Sequence, residues 1–468
     1  MRAEPILRGL RKAAERPNLF EAAHRADPWE ALTAELKPPL SDQDALIEAY
    51  RCLLCGGPHN RAPCTLACPA DVNVAGFIAA LTEAMPVRAA EIIHSANPLG
   101  GTCARVCPTE ELCEGACVLS LEGQRPVDIA RLQRYATDQA VRAGNLTIPK
   151  VAEANGKGVA IIGAGPAGLT VAAVLAPKGY QVEVFDENLG VGGLVRSAIA
   201  PYRQLLDPLP VETQRLVAMG VTFHLEREIR PEDLGALQAR FDAIFLGVGM
   251  GEDASSGVKG SDLVGVWKSL RFVKQVKSGH LPRLGERVAI IGGGNTAMDM
   301  AREAVRLGAN HVTVLYRRGL EEMPAFYVEY EEAVAEGVEF AWLTGPTSYL
   351  GAEQVERIQY QRMHLGEPDE SGRRRPIPIS GEEFSLEVDS VIEAIGQKAR
   401  STFIAAIPSI QSSGGNILVD EATGQCRDTM YFAGGDILNG GATVVEAVRL
   451  GKIAAAGIHA SLNRGGDE

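Results

Sequence analysis

Eight of the nine cysteines of this chain lie close together in its first quarter. They form four pairs, each with a gap of two or three residues: Cys52 and Cys55, Cys64 and Cys68, Cys103 and Cys107, Cys113 and Cys117. Proline follows directly after Cys68 and Cys107. Short gaps and Cys-Pro steps of this kind arrange thiolates around iron–sulfur clusters. The spacing therefore predicts iron–sulfur chemistry, and with it the transfer of electrons.

Two other uses of clustered cysteines remain open at this point. Dense disulfides belong to small secreted domains, whereas this chain has 468 residues and begins with mixed acidic and basic residues, unlike a signal peptide. Structural zinc is the stronger alternative, because Cys-x-x-Cys pairs suit tetrahedral zinc sites. Three of the four pairs here have a three-residue gap, however, and two cysteines precede proline. The pattern favours iron–sulfur clusters over zinc.

A first glycine-rich turn, Gly-x-Gly-x-x-Gly, follows an apolar run of the sequence. In such a turn the first glycine permits the tight bend, the second admits a pyrophosphate, and the third lets the helix pack on the strand. The next predicted strand, Gln181–Phe185, ends at Asp186, a carboxylate placed to accept hydrogen bonds from a ribose. We expect FAD to bind here, at the helix start. The turn residues are Gly163, Gly165, Pro166, Ala167 and Gly168.

A second turn of the same kind has Ala297 in its third position. At the end of the strand that follows, the place of the acidic residue is taken by Arg317 and Arg318. Arginine suits the 2′-phosphate of NADPH, which a carboxylate would repel. We therefore expect NADPH at this turn, although arginines that are merely solvated would leave NADH possible. The candidate residues are Gly292, Gly294, Asn295, Thr296, Ala297, Arg317 and Arg318.

A third segment supports a flavin. An apolar run ends in Gly435 and Asp436, and Gly441–Glu446 begins a predicted helix. A carboxylate after such a strand can reach the ribityl chain of a flavin, and the helix start can face the flavin ring. We expect this segment to be the return of the FAD-binding domain, with Gly435, Asp436 and Thr443 among its contacts.

The elements that must position these residues are of two kinds. Residues 1 to about 150 are expected to be mostly helical, with the cysteines in loops. Ser41 is a candidate N-cap with an acidic residue three positions later, and it opens a helix that runs to Cys52. A second helix is predicted over Val127–Val141, before the polar linker Glu153–Gly158.

Beyond the linker the run Val-Ala-Ile-Ile-Gly occurs twice, from Val159 and from Val288, and each copy begins a strand–turn–helix–strand unit. The expected fold class is α/β, with two nested Rossmann-type dinucleotide domains in a glutathione-reductase-like layout and an N-terminal α-helical iron–sulfur domain. The predicted domains are 1–150 (iron–sulfur), 151–280 (FAD-binding, first part), 281–394 (NAD(P)H-binding) and 395–468 (FAD-binding, second part).

Charge and hydropathy exclude some partners. Acidic residues outnumber basic ones 59 to 46, and the net charge of −13 argues against nucleic-acid binding. One uncharged stretch, Val159–Pro177, is long enough to span a membrane, but it contains the first glycine-rich turn. We expect a strand and a helix there, no membrane span and no targeting segment, and hence a cytoplasmic protein.

With these residues in view, the chain resembles the glutamate synthase small-subunit family, which includes the N-terminal half of dihydropyrimidine dehydrogenase and related ferredoxin–NADP oxidoreductase subunits. The resemblance covers residues 41 to about 460. Its motifs are NPLGGTCARVCPTEELCEGACV (97–118), GGL (192–194), GGGNTAMD (292–299), LYRR (315–318), MP (323–324), IGQ (395–397) and AGGD (433–436). It adds Gly193 and Leu194 to the expected FAD contacts.

In that family two 4Fe–4S clusters are interleaved. The resemblance implies one cluster on Cys52, Cys55, Cys64 and Cys117, and another on Cys68, Cys107, Cys113 and Gln133. Gln133 follows Leu132, as the family's glutamine ligand follows a leucine, and Cys103 would then be a bystander. The alternative is a surface Gln133 with Cys103 as the fourth thiolate. The loop Gly56–Pro63 is longer than is usual in the family, and we expect His59 within it to be exposed rather than a ligand.

These features imply an oxidoreductase subunit that passes electrons between NADPH, or NADH, and a partner protein through FAD and two 4Fe–4S clusters. The cofactors supply the chemistry, so no catalytic residue is assigned. The partner would be a separate large subunit or a ferredoxin-like protein, in a hetero-oligomer. Alternatives are the NAD(P)-linked subunit of a dihydropyrimidine dehydrogenase, a ferredoxin:NAD(P) oxidoreductase, or a non-catalytic nucleotide-binding scaffold. A disulfide reductase is disfavoured, because only Cys426 follows residue 118.

Overall fold

A computed structural model describes residues 19–57, 61–369, 372–427 and 430–463. The helices are α1 (Leu19–Ala23), α2 (Pro28–Leu32), α3 (Asp42–Tyr50), α4 (Pro63–Leu66), α5 (Val74–Thr82), α6 (Pro86–Ala96), α7 (Gly100–Val106), α8 (Val118–Leu121), α9 (Ile129–Arg142), α10 (Pro166–Leu175), α11 (Leu194–Ser197), α12 (Leu209–Ala218), α13 (Leu234–Arg240), α14 (Ser269–Lys277), α15 (Asn295–Arg306), α16 (Tyr327–Ala335), α17 (Ser401–Ala405), α18 (Asp436–Asn439) and α19 (Val444–Asn463). Within the described residues, no helix is both long and apolar enough to cross a bilayer.

The strands are β1 (Gly158–Ile162), β2 (Gln181–Phe185), β3 (Thr222–His224), β4 (Ala243–Leu246), β5 (Val266–Lys268), β6 (Arg287–Ile291), β7 (His311–Tyr316), β8 (Glu339–Trp342), β9 (Thr344–Leu350), β10 (Arg357–Pro368), β11 (Arg374–Glu387), β12 (Ser390–Glu393), β13 (Ser412–Ser413), β14 (Asn416–Ile417) and β15 (Tyr431–Ala433). Short 3₁₀ turns cover Ala176–Lys178, Pro231–Asp233 and Leu320–Glu322.

The described residues divide into two compact units. The main unit consists of 37–199, 206–251 and 398–463, and the insert unit of 19–36, 200–205 and 252–397, apart from the gaps given above. These borders differ from those of the predicted domains. The segment 252–280 lies in the insert unit, because β5 pairs with β12 in the second sheet, and 19–36 also belongs to that unit.

The main unit is built on a parallel sheet of five strands in the order β15-β4-β1-β2-β3. The central strand β1 is buried from Val159 to Ile162, as a strand covered on both faces requires. Because the strands are parallel, their carboxyl ends meet at one edge, where the first glycine-rich turn lies. The expected α/β fold is therefore observed here.

The cysteine-rich segment of the main unit is helical, as predicted. Ser41 caps α3 by accepting a hydrogen bond from the backbone N–H of Asp44 over 3.1 Å. Helix α9 begins at Ile129, two residues later than expected, because Asp128 caps it. Buried side chains of these helices, such as Phe77, form one hydrophobic core with the first sheet.

The insert unit repeats the sheet, with five parallel strands in the order β5-β12-β6-β7-β8. Its central strand β6 is the second copy of the repeated run, and Val288 to Ile291 are buried like their counterparts in β1. The unit also contains an antiparallel sheet in which β10 lies between β9 and β11. The antiparallel sheet was not expected from the sequence.

Candidate functional site

Four of the eight clustered cysteines line a single cavity of the main unit. These residues, called here the first thiol group, are Cys52, Cys55, Cys64 and Cys117. Cys52 follows the C-cap of α3, Cys64 lies in α4, and Cys117 is the N-cap of α8. The eight clustered cysteines are free thiols. The structure thus brings together the four residues that the resemblance assigns to one cluster.

The wall of this cavity suits an iron–sulfur cluster. The other lining residues are all apolar and include Val74, Ile78 and Leu119. Burial and the neighbouring thiols raise the pKa of Cys64 to about 11, so a bound metal would be needed to hold its thiolate at neutral pH. Within the described ranges, no three His, Cys, Asp or Glu side chains stand close enough to hold a single metal ion. A 4Fe–4S cluster has no need of such a group, because each of its four irons takes one ligand from the protein.

A second thiol group consists of Cys68, Cys107 and Cys113, which interact electrostatically with one another. A hydrogen bond with Cys103, together with burial, raises the pKa of the Cys107 thiol well above its ordinary value. Burial has the same effect on the pKa of Cys113. The pKa values of all three thiols are raised, so here too a bound cluster would be needed to hold the thiolates at neutral pH. The eight cysteines are therefore sorted into two groups, with Cys103 beside the second.

Both candidates for the fourth ligand of the second group lie at the contact of α7 with α9. Gln133 is 8% exposed, and its Nε2 donates to the carbonyl of Gly100, the first residue of α7, over 2.7 Å. Cys103 is buried on α7, and its side chain makes a hydrogen bond with that of Cys107. His59, expected to be exposed, lies outside the described residues.

Two lysines that the sequence analysis did not single out reach the second thiol group. Lys37 donates to the carbonyl of Cys107 over 2.7 Å. Lys452, on α19, donates to the carbonyls of Ala70 at 2.7 Å and Ala96 at 3.1 Å. No local motif marks either lysine, since each meets the cysteines only through the tertiary fold.

The glycines of the first turn are required for different reasons. Gly163 has φ +105°, and a Cβ there would lie 2.3 Å from the carbonyl oxygen of Gly247. A Cβ on Gly168 would lie 2.0 Å from the carbonyl oxygen of Gly163. At Gly165, the N-cap of α10, a Cβ would meet no atom within 4 Å. The open space at this helix start fits a dinucleotide pyrophosphate.

Asp186 holds the first turn itself. Its Oδ2 accepts a hydrogen bond from the backbone N–H of Ala164 over 2.7 Å, and its Oδ1 accepts one from the N–H of Asn188 over 2.8 Å. The carboxylate is 8% exposed. A contact with a ribose, the role expected from the sequence, would be additional to this structural one.

The other expected flavin residues converge on the same turn. Pro166 and Ala167 begin α10. Gly193, just before Leu194 and α11, has φ +54°, and a Cβ there would lie 3.1 Å from the Cα of Gly165. A Cβ on Gly435 would lie 3.0 Å from the Cβ of Ala167. Segments distant in sequence therefore meet at one place.

The two polar residues of the third segment lie shortly before the last helix, α19: Asp436 begins α18, and Thr443 directly precedes α19. Asp436 accepts a hydrogen bond from the N–H of Ala442 over 3.2 Å, and burial raises the pKa of its carboxyl. Thr443 accepts one through Oγ1 from the N–H of Glu446, also over 3.2 Å. Helix α19 then packs along α10, so its start is held near the first turn.

The second turn has the same construction in the insert unit. Gly292 has φ +142°, and a Cβ there would lie 2.2 Å from the carbonyl oxygen of Ala394, whereas Gly294 faces open space. Asn295 accepts a hydrogen bond from the N–H of Phe326 over 2.8 Å, Thr296 is exposed, and Ala297 is buried against the turn. This helix start also fits a pyrophosphate.

The two candidate arginines after β7 differ in environment. Arg318 is buried, and its guanidinium binds Asp369 and the carbonyl of Arg374, each at 2.7 Å. Arg317 is exposed, and its side chain has no hydrogen bond or ion pair with any residue that the structure describes. Of the pair, Arg317 is the one available to a bound phosphate.

Two family models match the chain. The model described as dihydropyrimidine dehydrogenase domain II, 4Fe-4S cluster, matches residues 30–145, and the pyridine nucleotide-disulphide oxidoreductase model matches residues 157–451. These matches cover the cysteine-rich segment and both glycine-rich turns.

Relatives with established names match most of the chain. The glutamate synthase (NADPH) small chain of Escherichia coli K12 is 36% identical over 445 residues, covering 91% of this chain and 93% of that protein. The NADP(+)-dependent formate dehydrogenase subunit beta of Moorella thermoacetica is 37% identical over 436 residues, or 87% of this chain, which spans only 61% of that subunit.

A solved structure shows the same fold. FprA of Mycobacterium tuberculosis in complex with NADPH is 20% identical, with a TM-score of 0.55 over 66% of this chain and 85% of FprA. The chain therefore belongs to the glutamate synthase small-subunit family, and it is an NAD(P)H-dependent flavin and iron–sulfur oxidoreductase.

Proposed function

We propose that this protein is the electron-transferring subunit of a larger enzyme, in which NADPH, or NADH, exchanges electrons with a partner protein through FAD and two 4Fe–4S clusters. The relatives named as small or beta subunits support a partner subunit. Glutamate synthase is the best-supported assembly, because that small chain matches over nearly its full length.

The observation that carries the proposal is the sorting of the cysteines. Two separate thiol groups form within the unit that also contains the first glycine-rich turn. We assign one 4Fe–4S cluster to Cys52, Cys55, Cys64 and Cys117, and a second to Cys68, Cys107, Cys113 and Gln133. Helix α19 supports a short route between flavin and clusters, because it begins beside the first turn and also packs against α7.

FAD is proposed for the first turn. A bound FAD would supply the conversion between the two-electron chemistry of nicotinamide and the one-electron chemistry of the clusters. The N–H groups at the start of α10 bind its pyrophosphate, and Gly165 leaves room for that approach. The proposed contacts are Gly163, Gly165, Pro166, Ala167, Gly168, Asp186, Gly193, Leu194, Gly435, Asp436 and Thr443.

NADPH is proposed for the second turn, with its pyrophosphate at the start of α15 and its 2′-phosphate at Arg317. The exposure of Arg317 supports that role, while the ion pair that the buried Arg318 makes with Asp369 supports a structural one. The assignment of the predicted domains to iron–sulfur, FAD and NAD(P)H binding and the cytoplasmic location remain predictions of the sequence. So does a hetero-oligomer with a large subunit or a ferredoxin-like protein.

Cofactor analysis of anaerobically purified protein tests this function. We expect one FAD and about eight irons per chain, and rapid bleaching of the flavin by NADPH. Zinc in place of iron, or fewer than about six irons, would contradict the cluster assignment. A flavin that NADPH and NADH leave oxidised would favour the scaffold alternative, and purification from the native host with its partner attached would distinguish glutamate synthase from a pyrimidine-reducing enzyme or a ferredoxin oxidoreductase.

A further inference from the structure

Two ammonium groups lie beside the second thiol group. Lys37 donates from Nζ to the backbone carbonyl of Cys107 over 2.7 Å and to Thr109 over 3.3 Å. Lys452 donates to the carbonyl of Ala70, two residues after a cysteine of the group, and to that of Ala96. Each lysine comes from outside the cysteine-rich segment, one before it and one from the last helix.

The charges of these lysines act on the thiols. Lys452 interacts electrostatically with Cys68, and Lys37 with Cys107 and Cys113. Glu110 and Glu114 act in the opposite direction on Cys107 and Cys113. The thiols of the first group are in different surroundings. The pKa values of Cys52 and Cys64 are shifted by burial, neighbouring thiols and backbone hydrogen bonds. The two groups therefore differ in the charged side chains around them.

We propose that Lys37 and Lys452 raise the reduction potential of the cluster bound by the second thiol group. Reduction adds one negative charge, and nearby positive charges stabilise the reduced form. Net charge and hydrogen bonds around the sulfurs are among the determinants of cluster potential. The proposal rests on the function proposed above, since it requires a cluster at this site.

The lysines act on the cluster by position and charge, and neither is a catalytic residue. Both ammonium groups donate hydrogen bonds to backbone carbonyls, and these bonds hold them beside the cysteines. Without such bonds, lysine side chains would turn towards water. The location of Lys452 on α19 also links the flavin-binding end of that helix to the second thiol group. Lys452 thus places a positive charge for the second thiol group on the same helix that begins beside the first glycine-rich turn.

The test is a redox titration followed by EPR on the full-length protein with its cofactors. Lys452→Met and Lys37→Met remove the positive charge and nearly keep the length of the side chain. Lys452→Arg keeps the positive charge. Cys107→Ser assigns the signal of the second site. Lys157→Met is a matched control, because Lys157 binds the carbonyl of Leu462, which lies ten residues, or about 15 Å, further along α19.

We expect each methionine variant to lower the midpoint potential of the second signal and to leave the first unchanged. A loss of about tenfold in the reduction equilibrium corresponds to about 59 mV for a one-electron couple. Lys452→Arg and Lys157→Met should both match the wild type.

Unchanged potentials in both methionine variants would overturn the proposal, as would an equal shift in Lys452→Arg and Lys452→Met. If Lys452→Met loses the iron of the second site, the other two variants carry the test. An unchanged midpoint potential in Lys37→Met would then overturn the proposal, as would a lowered potential in Lys452→Arg. A wild-type protein with no iron–sulfur signal would instead contradict the proposed function.

Discussion

Arg318 donates through Nε to the backbone carbonyl of Arg374 over 2.7 Å. Since the same guanidinium pairs with Asp369, it joins the end of β7 to the turn between β10 and β11. Arg317, its neighbour in sequence, is exposed and has no such contact with the described residues. One arginine of the pair thus supports the insert unit, and the other is free to meet an anion.

Arg317→Ala should weaken the binding of NADPH and barely change that of NADH. The loss of a charged contact to a phosphate costs about 1.5–3 kcal/mol, or roughly ten- to a hundredfold in affinity. Titration of the oxidised protein with both nucleotides measures the ratio. Arg318→Ala is the comparison, because it should lower thermal stability and affect both nucleotides alike. Equal losses for both nucleotides in Arg317→Ala would contradict the assignment.

Gly165→Ala and Gly168→Ala separate cofactor binding from folding. A Cβ on Gly165 meets nothing within 4 Å, and its φ of −77° suits alanine. We expect this variant to lose FAD, and its FAD-free form to match the FAD-free wild type in stability to within about 1 kcal/mol. A Cβ on Gly168 would meet a backbone oxygen at 2.0 Å, so that variant should lose about 1–3 kcal/mol of stability. Normal FAD content in Gly165→Ala would place the pyrophosphate elsewhere.

Gln133→Ala should disturb one cluster and leave the other spectroscopically intact. A neutral amide in place of a thiolate makes its cluster one unit less negative and easier to reduce, so Gln133→Cys should lower the potential. EPR at controlled potentials measures both effects, with Cys103→Ser as the paired variant. Loss of a cluster in Cys103→Ser but not in Gln133→Ala would identify the second site as a four-cysteine site.

Glu303→Gln should stabilise the protein at neutral pH. Glu303 is fully buried on α15, and neither carboxyl oxygen has a hydrogen-bond partner among the described residues. Burial, together with the neighbouring Asp299, raises its pKa well above the ordinary 4.5, although Lys277, Arg306 and Arg203 act in the opposite direction.

Because the folded pKa is raised, the contribution of Glu303 to stability is fully present below pH 4.5 and is lost as the pH rises through the folded pKa. Glutamine does not ionise, so the Glu303→Gln variant does not lose this contribution to stability as the pH rises. The difference in melting temperature between the variant and the wild type should therefore grow from about pH 4 towards pH 7. Parallel curves across this range would show that Glu303 does not titrate as inferred.

Short sequence patterns correctly predicted those strands and helix ends that are determined by residues close together in the chain. The repeated run at Val159 and Val288 predicted both central strands, because buried parallel strands are apolar throughout. The N-cap at Ser41 is confirmed. The start of α9 was placed two residues too early, since the capping role of Asp128 was not recognised.

Long-range contacts account for what the sequence could not predict. Strands β10 and β11 are largely exposed, and their alternation of apolar and polar residues is interrupted, by a register shift between Gln361 and Met363 in β10 and by the segment around Gly381 in β11. The difference between Arg317 and Arg318 depends on that hairpin. Lys37 and Lys452 are hundreds of residues apart and meet the cysteines only after folding.

The two thiol groups share short stretches of backbone. Cys64 and Cys68 are separated by three residues but belong to different groups, as do Cys113 and Cys117. Under the proposed ligand sets, filling one site fixes the backbone on which the other depends. Maturation should then be cooperative, and cells short of iron should accumulate empty and fully loaded protein rather than half-loaded forms.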